Sequence, residues 1–497
     1  MASSNVSFAD IDTFILTFNA GKAKINPAVF GQHLYDVFSD RLILPDLVVF
    51  CLQEMAPLAD AFIGSYMISP YFSKYEQAVN MAAANFVAEQ AASPEQIPKE
   101  PIFTLVTSRN VGMTGIMLFA RDPSALRKTK DTEVGFGAGQ MGNKGAVGVR
   151  SLFVRQNAKG ISKATELTFV ATHLQAFEWN LEKRNQNWET IVSGLRKQYI
   201  HPPIKFNIWS DPHPRGYARV FDDPKKLRDA SSRQPIHQDE TETLLSQDDQ
   251  KAKRHDATIY KPGSRLFLGG DLNYRISTRS PTQDSVFPSL DPESPDYYTR
   301  FLSRDQLTSE RKAGRTLHGL DEAEITFPPT YKLEMVKEPV GPESQCQEPP
   351  HRDVRFSEDP IAWDWAQHRW PSWTDRILYL NAPSWVPPEN KIKVQTYSAL
   401  PAVRTSDHRA VYLRVKIPVI EPAELAPSDA ARGQFDTDPR VKLPFSIDSH
   451  SWENRKKVKE WEYYVGWLMK VAESKYSIGV VTCMCVLGLG YWCFRSQ

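Results

Sequence analysis

The sequence predicts a mixed α/β fold in which buried strands end on polar side chains. Short apolar runs recur along the 497 residues, and several of them lead to or follow a carboxylate, an amide or an imidazole. Helical periodicity separates two of these runs, between residues 177 and 195. The clearest run, residues 266–268, is ended by two glycines and followed by Asp271 and Asn273. Residues two apart in an extended chain point the same way, so both side chains can serve one site. A simple Gly-Asp turn is the alternative for this stretch alone.

Composition places the chain among ordinary globular proteins and limits its partners. Hydrophobic residues make up 41% and charged residues 24% of the chain, which is typical of a soluble domain. The formal net charge of +1 excludes a globally basic nucleic-acid binder, although a local basic pocket is compatible with it. Three of the five cysteines lie in the last fifteen residues, which leaves no spaced framework for disulfides or zinc. We therefore expect a reduced, cytosolic body that binds no nucleic acid.

The first strands of the chain lead to two polar side chains. Residues 11–19 form an apolar run that ends on Asn19. Residues 47–52 form a second run, which leads to Glu54. A carboxylate or amide at such a position is either a solvated turn residue or part of a site.

A glycine-rich loop precedes the next polar strand end. Residues 135–145 contain five glycines around Lys144. The lysine is followed by glycine rather than Ser or Thr, so the loop is not a nucleotide-binding P-loop. Its backbone amides can still approach an anion closely, while a flexible hairpin is the alternative. The strand at 167–172 delivers His173, although a lone histidine at a strand end is more often structural.

Polar, proline-rich stretches interrupt the predicted strands. Residues 201–262 are predicted to be an insertion or a disordered loop. A second polar insertion is predicted near residues 335–362.

Two strand starts in the second half complete the polar set. Asp375 directly precedes one apolar run, and Asp407 and His408 precede another. Oxygen donors without paired cysteines favour a hard cation, Mg²⁺ above all, and histidine beside aspartate suits proton transfer during attack by water. Lysines, arginines and glycine-loop amides suit a substrate with several phosphates. The predicted chemistry is Mg²⁺-assisted phosphoester hydrolysis, with the candidates Asn19, Glu54, Lys144, His173, Asp271, Asn273, Arg275, Lys332, Asp375, Arg376, Asp407 and His408.

Four sequence blocks resemble the signature motifs of the inositol polyphosphate 5-phosphatases. They are residues 169–174 (FVATHL), 269–275 (GGDLNYR), 371–378 (PSWTDRIL) and 406–411 (SDHRAV). The resemblance runs from about residue 14 to residue 415, and the combined blocks are specific. That family belongs to the endonuclease/exonuclease/phosphatase superfamily, so the resemblance implies a four-layer α/β sandwich. With its apolar C-terminus, the chain most resembles the fungal tail-anchored 5-phosphatases of the endoplasmic reticulum.

The resemblance also implies roles for the candidate residues. Glu54 would bind Mg²⁺, assisted by Asn19 and Asp407. Asp271 would orient or deprotonate the attacking water, while Asn273 and His173 would contact the scissile phosphate. His408, held by Asp375, would stabilise the charge that develops on that phosphate. The residues expected to bind the rest of the substrate are Asn143, Lys144, Arg275, Tyr331, Lys332 and Arg376.

Two departures from the family pattern concern uncharged positions. Residues 330–333 read TYKL where the family has Thr-Tyr-Lys-Tyr, and Phe18 stands where tryptophan usually precedes the first asparagine. Neither removes a charged site group, so they put substrate ranking in doubt rather than activity.

The C-terminus carries a predicted membrane anchor. Residues 478–494 form an almost unbroken apolar run, roughly 25 Å long as a helix, which is short for a bilayer and suits the thin endoplasmic reticulum membrane. Before it, aromatic and aliphatic residues between 461 and 471 recur at helical spacing among lysines, which predicts a helix that lies on an anionic membrane or docks on the domain. We therefore expect a catalytic domain at 10–418, a linker with this helix at 419–476, and a tail anchor at 477–494 that leaves the body facing the cytosol.

These inferences predict an enzyme that acts on a membrane lipid. The expected reaction is Mg²⁺-dependent hydrolysis of phosphatidylinositol 4,5-bisphosphate to the 4-monophosphate. Two alternatives remain: a superfamily phosphodiesterase such as a nuclease or sphingomyelinase, and an inactive phosphoinositide-binding tether. The intact water-activating set argues against a tether, and the near-zero net charge argues against a nuclease.

Overall fold

A computed structural model of the chain describes residues 8–93, 98, 100–195, 254–336, 351–352, 361–448 and 450–474. Within these ranges the strands are β1 (Ile11–Asn19), β2 (Leu47–Gln53), β3 (Thr104–Val111), β4 (Thr114–Ala120), β5 (Leu126–Gly135), β6 (Gly145–Gln156), β7 (Ser162–His173), β8 (Ser264–Asp271), β9 (Leu333–Met335), β10 (His351–Arg352), β11 (Ala362–Trp365), β12 (Asp375–Tyr379), β13 (Lys393–Ala399) and β14 (Val411–Ile417). The α-helices are α1 (Pro27–Ser39), α2 (Leu58–Ile63), α3 (Ser69–Gln90), α4 (Leu181–Gly194), α5 (Gln306–Lys312), α6 (Pro422–Leu425), α7 (Asp429–Gln434) and α8 (Ser451–Glu473).

Two large mixed sheets form the centre of the fold. One has the strand order β13-β14-β1-β2-β4-β3, and the other has the order β12-β8-β7-β6-β5. The pair β1–β2 is parallel in the first sheet, as is β7–β8 in the second, and the remaining neighbours are antiparallel. A third, small sheet has the order β10-β11-β9.

Alternation of side chains along the strands explains why the sheets pack face to face. Ile15 of β1 and Phe267 of β8 belong to one apolar cluster between the sheets, because residues of one parity share a face. Residues of the other parity cover the outer faces. Phe14 of β1 packs towards α1 and α3, and Leu268 of β8 packs in a cluster with residues of α4. The expected four-layer α/β sandwich is therefore the observed architecture.

The two sheets approach each other closely just behind the polar strand ends. A Cβ atom added to Gly269 would lie 3.1 Å from Sγ of Cys51 on the facing sheet. This separation is tighter than ordinary van der Waals contact between carbon and sulfur. Glycine at 269 therefore permits the sheet spacing seen at this point.

The two predicted insertions overlap with ordered parts of the domain. Residues 254–262, at the end of the predicted 201–262 insertion, include Tyr260, which is fully buried against Trp188 of α4. In the predicted 335–362 insertion, Met335 ends β9 and Ala362 begins β11. Prediction of insertions from polar composition was wrong at these edges, because a few buried apolar residues are enough to hold a short segment on the domain. Residues 196–253 lie outside the described residues.

The described residues of the predicted linker, 419–448 and 450–474, pack on the domain. Arg440 is buried, and its guanidinium donates to the backbone oxygen of Leu380 at 3.3 Å. The predicted amphipathic helix is α8, and one side of it packs along α2, where Lys470 pairs with Asp60 at 2.6 Å. Among the described residues, no helix is long and apolar enough to cross a membrane. The predicted anchor at 477–494 lies outside them.

Candidate active site

Strand register brings the polar strand ends to one edge of the sandwich. In the parallel pair β7–β8, His173 lies opposite Asp271, and the antiparallel neighbour β12 places Asp375 opposite Asp271 as well. Asn19 ends β1 on the facing sheet. All four residues have the parity of the face between the sheets, so their side chains meet where the apolar core between the sheets ends.

Asp271 lies at the centre of this polar cluster. Its Oδ2 accepts a 3.0 Å hydrogen bond from Nδ2 of Asn19 and lies 3.2 Å from Nε2 of His173. Burial alone would raise the pKa of the Asp271 carboxyl, but the hydrogen bond and charge of His173, with the charges of His408 and Lys144, hold that pKa well below its ordinary value. Asp271 is therefore a carboxylate at neutral pH and can accept a proton or orient a water.

His408 is held by a carboxylate behind it. Nδ1 of His408 lies 2.9 Å from Oδ2 of Asp375, and that oxygen also accepts hydrogen bonds from the hydroxyls of Thr330 at 2.7 Å and Thr374 at 2.8 Å. Burial alone would lower the pKa of His408, but Asp375, followed by Asp271 and Asp407, raises it to about 9. The imidazole is therefore protonated at neutral pH.

The free nitrogen of His408 faces the reaction centre. Nε2 lies 4.0 Å from Oδ2 of Asp271 and 3.9 Å from Oδ1 of Asp407. A protonated Nε2 can donate to an oxygen placed between it and the two carboxylates. The geometry thus supplies a base and a hydrogen-bond donor on either side of one small space.

Lys144 reaches the site from the glycine-rich loop. Its Nζ contacts Nε2 of His173, directly beside Asp271. Burial lowers the pKa of Lys144 to about 8, although Asp271 and Glu54 oppose this effect. Burial and the neighbouring Lys144 likewise lower the pKa of His173. The ammonium group lies where an anionic substrate would displace or share these contacts.

Glu54 and its neighbours form the oxygen-rich side of the site. Glu54 follows β2 with a positive φ of 43°, a backbone conformation that costs about 1–3 kcal/mol for a non-glycine residue and occurs often at functional sites. One carboxylate oxygen lies 3.3 Å from Nζ of Lys22. Burial alone would raise the pKa of Glu54, but His173, Lys144 and Lys22 lower it. The carboxylate therefore stays ionised and faces the cavity.

The donor set fits a hard divalent cation. The carboxylates of Glu54, Asp271 and Asp407 and the amide of Asn19 line one cavity, and oxygen donors of this kind suit Mg²⁺ or Ca²⁺. Potential ligand atoms of Asp271, Asp375 and His408 also lie within 4.8 Å of one another. Oδ2 of Asp375, however, already accepts from two hydroxyls and faces His408. The Glu54 side of the cavity therefore fits a hard cation better than the Asp375 side does.

A second group of residues orders the loop after β8. The backbone N–H of Asn273 donates to Oδ1 of Asp271 at 3.1 Å, and Nδ2 of Asn273 donates to the carbonyl of Leu174 at 3.1 Å. The guanidinium of Arg275 donates to Oδ1 of Asn273 at 2.5 Å and lies 4.2 Å from the centre of the Tyr331 ring. Asn273 and Arg275 are thereby fixed before any substrate binds.

The residues around Tyr331 close the other side of the cavity. The Tyr331 ring lies 4.5 Å from the His408 ring, and Nζ of Lys332 pairs with Asp407 at 2.5 Å. The cavity has a volume of about 350 Å³. Eleven of the fourteen predicted site residues line it: Asn19, Glu54, Lys144, His173, Asp271, Asn273, Arg275, Tyr331, Lys332, Asp407 and His408.

Comparison with known proteins identifies the family. The model of endonuclease/exonuclease/phosphatase family 2 matches residues 16–414. The chain belongs to this family. The match contains every residue that lines the cavity.

Curated proteins similar to this chain include inositol polyphosphate 5-phosphatases. A probable inositol polyphosphate 5-phosphatase of Schizosaccharomyces pombe is 25% identical over 420 residues, which are 82% of this chain and 28% of that protein. The inositol-1,4,5-trisphosphate 5-phosphatase 1 of the same yeast is 25% identical over 65% of this chain and 20% of its own length. Phosphatidylinositol polyphosphate 5-phosphatase type IV of Rattus norvegicus is 31% identical over 35% of this chain and 22% of its own length. The matched regions thus span less than a third of each relative.

Among solved structures, the 5-phosphatase domain of SPsynaptojanin, in complex with inositol 1,4-bisphosphate and calcium, is similar. The two chains share 17% identity with a TM-score of 0.49, over 92% of this chain and 91% of that domain.

Three predicted site residues of this family member do not line the cavity. Asp375 lies behind His408, where a supporting residue was expected. Asn143 lies within the glycine-rich loop, and its Oδ1 occupies the space where a side chain on Gly137 would stand. Arg376 is fully buried and pairs with Asp305 at 3.0 Å and Glu322 at 2.6 Å. The predicted substrate contact of Arg376 is therefore wrong in this structure, because alternation along β12 turns it to the opposite face from Asp375.

Several cavity residues escaped prediction. Lys22, Phe177, His368 and Arg369 line the cavity and lie in turns and loops. Phe177 stands at the start of the stretch with helical periodicity, whereas the other three have no periodic pattern around them. Lys22 stands three residues after Asn19, and this proximity to a polar strand end was the available signal. The guanidinium of Arg369 lies over the Phe177 ring and 3.8 Å from buried Glu178, so these contacts join two loops at the cavity mouth.

Proposed function

We propose that the chain is a Mg²⁺-dependent phosphoinositide 5-phosphatase. It would hydrolyse the 5-phosphate of phosphatidylinositol 4,5-bisphosphate, giving phosphatidylinositol 4-phosphate and inorganic phosphate. The observation that supports this most is the arrangement of Asp271 and His408 around one space, with their nearest facing atoms 4.0 Å apart. Cationic side chains of Lys144, Arg275 and Lys332 line the same cavity.

The proposed mechanism is direct attack by water on the phosphorus atom. Asp271, ionised and oriented by Asn19, would position the water and take its proton. His408, protonated and held by Asp375, would donate Nε2–H to a phosphate oxygen as negative charge develops. A bound Mg²⁺ would supply charge neutralisation for the phosphate, with Glu54, Asn19 and Asp407 as its protein ligands. As the water oxygen bonds to phosphorus, the bond from phosphorus to the ring oxygen would break, and the ring oxygen would take up the proton held by Asp271, directly or through water, to leave as an alcohol. No covalent intermediate on the protein is required.

The cations of the cavity support a substrate with more than one phosphate. Lys144 lies beside His173 on one side, and Lys332 lies with Asp407 on the other. A single scissile phosphate needs fewer positive groups than this cavity offers. A second phosphate next to the scissile one would give Lys332, with Tyr331 beside it, an anionic partner in addition to Asp407. The named relatives act on inositol phosphates or phosphoinositides, which favours a phosphorylated inositol ring.

The outer face of α8 supports action at a membrane. Trp461, Tyr464 and Leu468 are 68%, 62% and 61% exposed, and their spacing of three and four residues puts them in one stripe. Exposed Lys456 and Lys457 lie on the preceding turn. Trp and Tyr favour the interface of a bilayer, and the apolar residues 478–494 follow the helix in sequence. We propose that the protein is anchored in the endoplasmic reticulum membrane by this tail, with the domain in the cytosol.

A substrate panel with assignment of the product tests the activity. Phosphate release would be measured from phosphatidylinositol 4,5-bisphosphate, the 3,4,5-trisphosphate lipid and soluble inositol phosphates. Cleavage of duplex DNA would be measured in parallel, as a test for nuclease activity. We expect release from the 5-position, loss of release in Asp271→Ala and His408→Ala, and retained release in the exposed control Asp436→Ala. Cleavage of DNA without phosphoinositide turnover would overturn the proposal. Binding of the lipid without turnover would also overturn it and would favour the alternative of an inactive phosphoinositide-binding tether.

A separate experiment tests the membrane proposal. A chain that ends at Ser474 should leave the membrane fraction and keep its activity on a short-chain soluble lipid. Within the full chain, replacing Trp461, Tyr464 and Leu468 together by alanine should lower activity on vesicles more than on that soluble lipid. Equal effects on both substrates would contradict a role of this face at the membrane.

A further inference from the structure

The last helix, α8, holds the glycine-rich loop that carries Lys144. Oε1 of Glu462 accepts a 2.6 Å hydrogen bond from the backbone N–H of Gly142. Arg455, seven residues earlier on the helix, donates to both carboxylate oxygens of Glu462, at 2.6 and 2.7 Å. Both side chains are buried. The contact therefore joins the C-terminal helix to a loop more than 300 positions away in the sequence.

The same helix also grips the strand on which the loop begins. Nε of Arg455 donates to Glu133 at 3.0 Å, and Lys459 pairs with the same carboxylate at 3.0 Å. Glu133 lies in β5, which ends at Gly135 where the loop starts. Arg455 thus bridges the entry of the loop and, through Glu462, its later part at Gly142.

The loop is also held at its ends, where Gly135 pairs with Gly145, and by Phe136, which packs against the apolar cluster around α4. Internally, the N–H of Phe136 donates to the carbonyl of Lys144 at 3.0 Å, and that of Gly137 donates to Met141 at 2.9 Å. These bonds define its shape but not its placement on the domain. Gly142 packs so closely on the β3–β4 turn that an added Cβ would lie 2.8 Å from the N atom of Gly112. The loop is therefore pressed between this turn on one side and Glu462 on the other.

The far end of α8 is fixed independently of the loop. Gly466 packs against α2, where an added Cβ would lie 2.9 Å from Cγ1 of Ile63. One turn later, Lys470 pairs with Asp60 at 2.6 Å. Glu462 is thus presented from a helix that is held on both sides of the contact. A charge-assisted hydrogen bond from such a fixed acceptor positions its donor more firmly than one from a mobile side chain.

We propose that Glu462, supported by Arg455, is a positioning residue that fixes the glycine-rich loop so that Lys144 reaches the cavity. Lys144 follows Gly142 by two residues and directly precedes β6, so a shift of the loop at Gly142 moves the lysine. α8 is then part of the substrate-binding machinery and not only a connection to the C-terminus. The effect on catalysis rests on the proposed function, whereas the effect on the loop does not.

The test compares Glu462→Ala with the matched change Glu460→Ala in the full chain. Glu460 is an exposed acidic residue of the same helix. The first readout is hydrogen–deuterium exchange of the peptide covering residues 136–144. We expect exchange there to rise roughly tenfold in Glu462→Ala and to stay at the wild-type rate in Glu460→Ala.

The second readout is steady-state kinetics on soluble inositol 1,4,5-trisphosphate, which avoids effects of membrane binding. We expect KM to rise roughly tenfold in Glu462→Ala, with kcat changed by less than about threefold, because ground-state binding is lost. Glu462→Asp keeps the charge beside Arg455 but is one methylene too short to reach both partners. Glu462→Asp should therefore also raise the exchange rate of residues 136–144 and KM. If Glu462→Ala does not fold, Glu462→Asp serves as the test of the proposal.

The outcomes separate this proposal from the proposed function. Unchanged exchange at 136–144 in both Glu462 variants would overturn it, as would a fall in kcat with KM unchanged. If the wild-type protein turns over no inositol phosphate, the proposed function fails while the exchange measurement still decides the role of Glu462.

Discussion

Nδ1 of His408 lies 2.9 Å from Oδ2 of Asp375, and both side chains are buried at the edge of the sandwich. The two residues come from different sheets, since Asp375 begins β12 and His408 precedes β14. The pair therefore depends on how the sheets pack as well as on either strand. Its carboxylate keeps the imidazole protonated and turns Nε2 towards Asp271.

The first prediction concerns the pH dependence that this pair imposes. Because Asp375 raises the pKa of His408 to about 9, the protonated form should persist through neutral pH, and activity should fall as the pH rises through about 9. In Asp375→Asn the raising charge is lost, so this alkaline limb should move towards the ordinary histidine value of about 6.5. At pH 8 the protonated fraction of His408 would fall from about 0.9 to about 0.03, so we expect kcat to fall roughly 30-fold.

Rate profiles between pH 5 and 10 would check this, with Asp436→Asn as the exposed control. An alkaline limb at the same pH in Asp375→Asn would contradict the assignment of that limb to His408.

The second prediction concerns Glu54, the proposed metal ligand on the opposite side of the cavity. Glu54→Gln keeps the size of the side chain but removes the charge that attracts a divalent cation. We expect the Mg²⁺ concentration for half-maximal activity to rise at least roughly tenfold, because carboxylates dominate binding of hard cations. A titration of activity with Mg²⁺ after chelation with EDTA measures it. Glu189→Gln, on the exposed side of α4, is the control, and equal Mg²⁺ requirements would argue against Glu54 as a ligand.

The third prediction separates a structural arginine from a substrate-binding one. Arg376→Met leaves buried Asp305 without its cation, and it removes the nearer of the two arginines that pair with Glu322. Loss of one partner from such a network should lower the free energy of unfolding by about 3–5 kcal/mol. Urea unfolding measures the loss, with exposed Arg279→Met as the control. A variant of unchanged stability but weakened substrate affinity would restore the role in binding that the sequence predicted.

The fourth prediction concerns stability at the end of the sandwich away from the site. The Asp46 carboxylate accepts from Arg155 at 2.6 Å, from Arg121 at 2.9 Å and from the backbone N–H of Asp12 at 2.9 Å. Burial alone would raise the pKa of Asp46, but these partners lower it. A lowered pKa means that the carboxylate stabilises the fold above the unfolded-state pKa of about 3.9, and that this contribution is lost as the pH falls through the lower folded-state value.

Asp46→Asn should therefore lower the free energy of unfolding by about 1–3 kcal/mol at pH 7. The difference from wild type should shrink as the pH falls below about 4. Urea unfolding at pH 7 and at a pH below about 4 measures the difference in the free energy of unfolding, with exposed Asp436→Asn as the control. A difference that stays constant with pH would show that the charge of Asp46 does not contribute.

The sequence predicted the core of the site because strand ends obey simple rules. Asn19, His173 and Asp271 follow long apolar runs, and strand register then makes them meet. Arg376 was misplaced although the same alternation, applied one residue after Asp375, would have turned it away from the site. Arg369 lies in a loop, where no periodicity reports direction. Specific loop contacts depend on tertiary packing that a single sequence does not encode in a readable pattern.

The C-terminal helix shows a different limit of sequence interpretation. Its apolar and basic residues predicted a helix, and α8 is one. The pattern alone could not decide whether the helix docks on the domain or lies on a membrane. The structure divides the helix between two faces: Glu462 and Gly466 face the domain, while Trp461 and Tyr464 face outward. The periodicity of 3.6 residues per turn shows which residues share a face of the helix, but it does not show whether a face contacts the domain or a membrane.

Gly269 and Cys51 relate the interior of the protein to its chemistry. Asn19 and Glu54 lie at the end of one sheet, while Asp271 and His173 lie at the end of the other. The distance between the proposed cation ligand Glu54 and the proposed water-activating Asp271 therefore depends on the spacing of the two sheets in the core. Two residues before Asp271 in β8, the absence of a side chain on Gly269 permits this spacing. Larger side chains at position 51 or 269 would then push the sheets apart and lower the catalytic rate, although neither residue contacts the substrate.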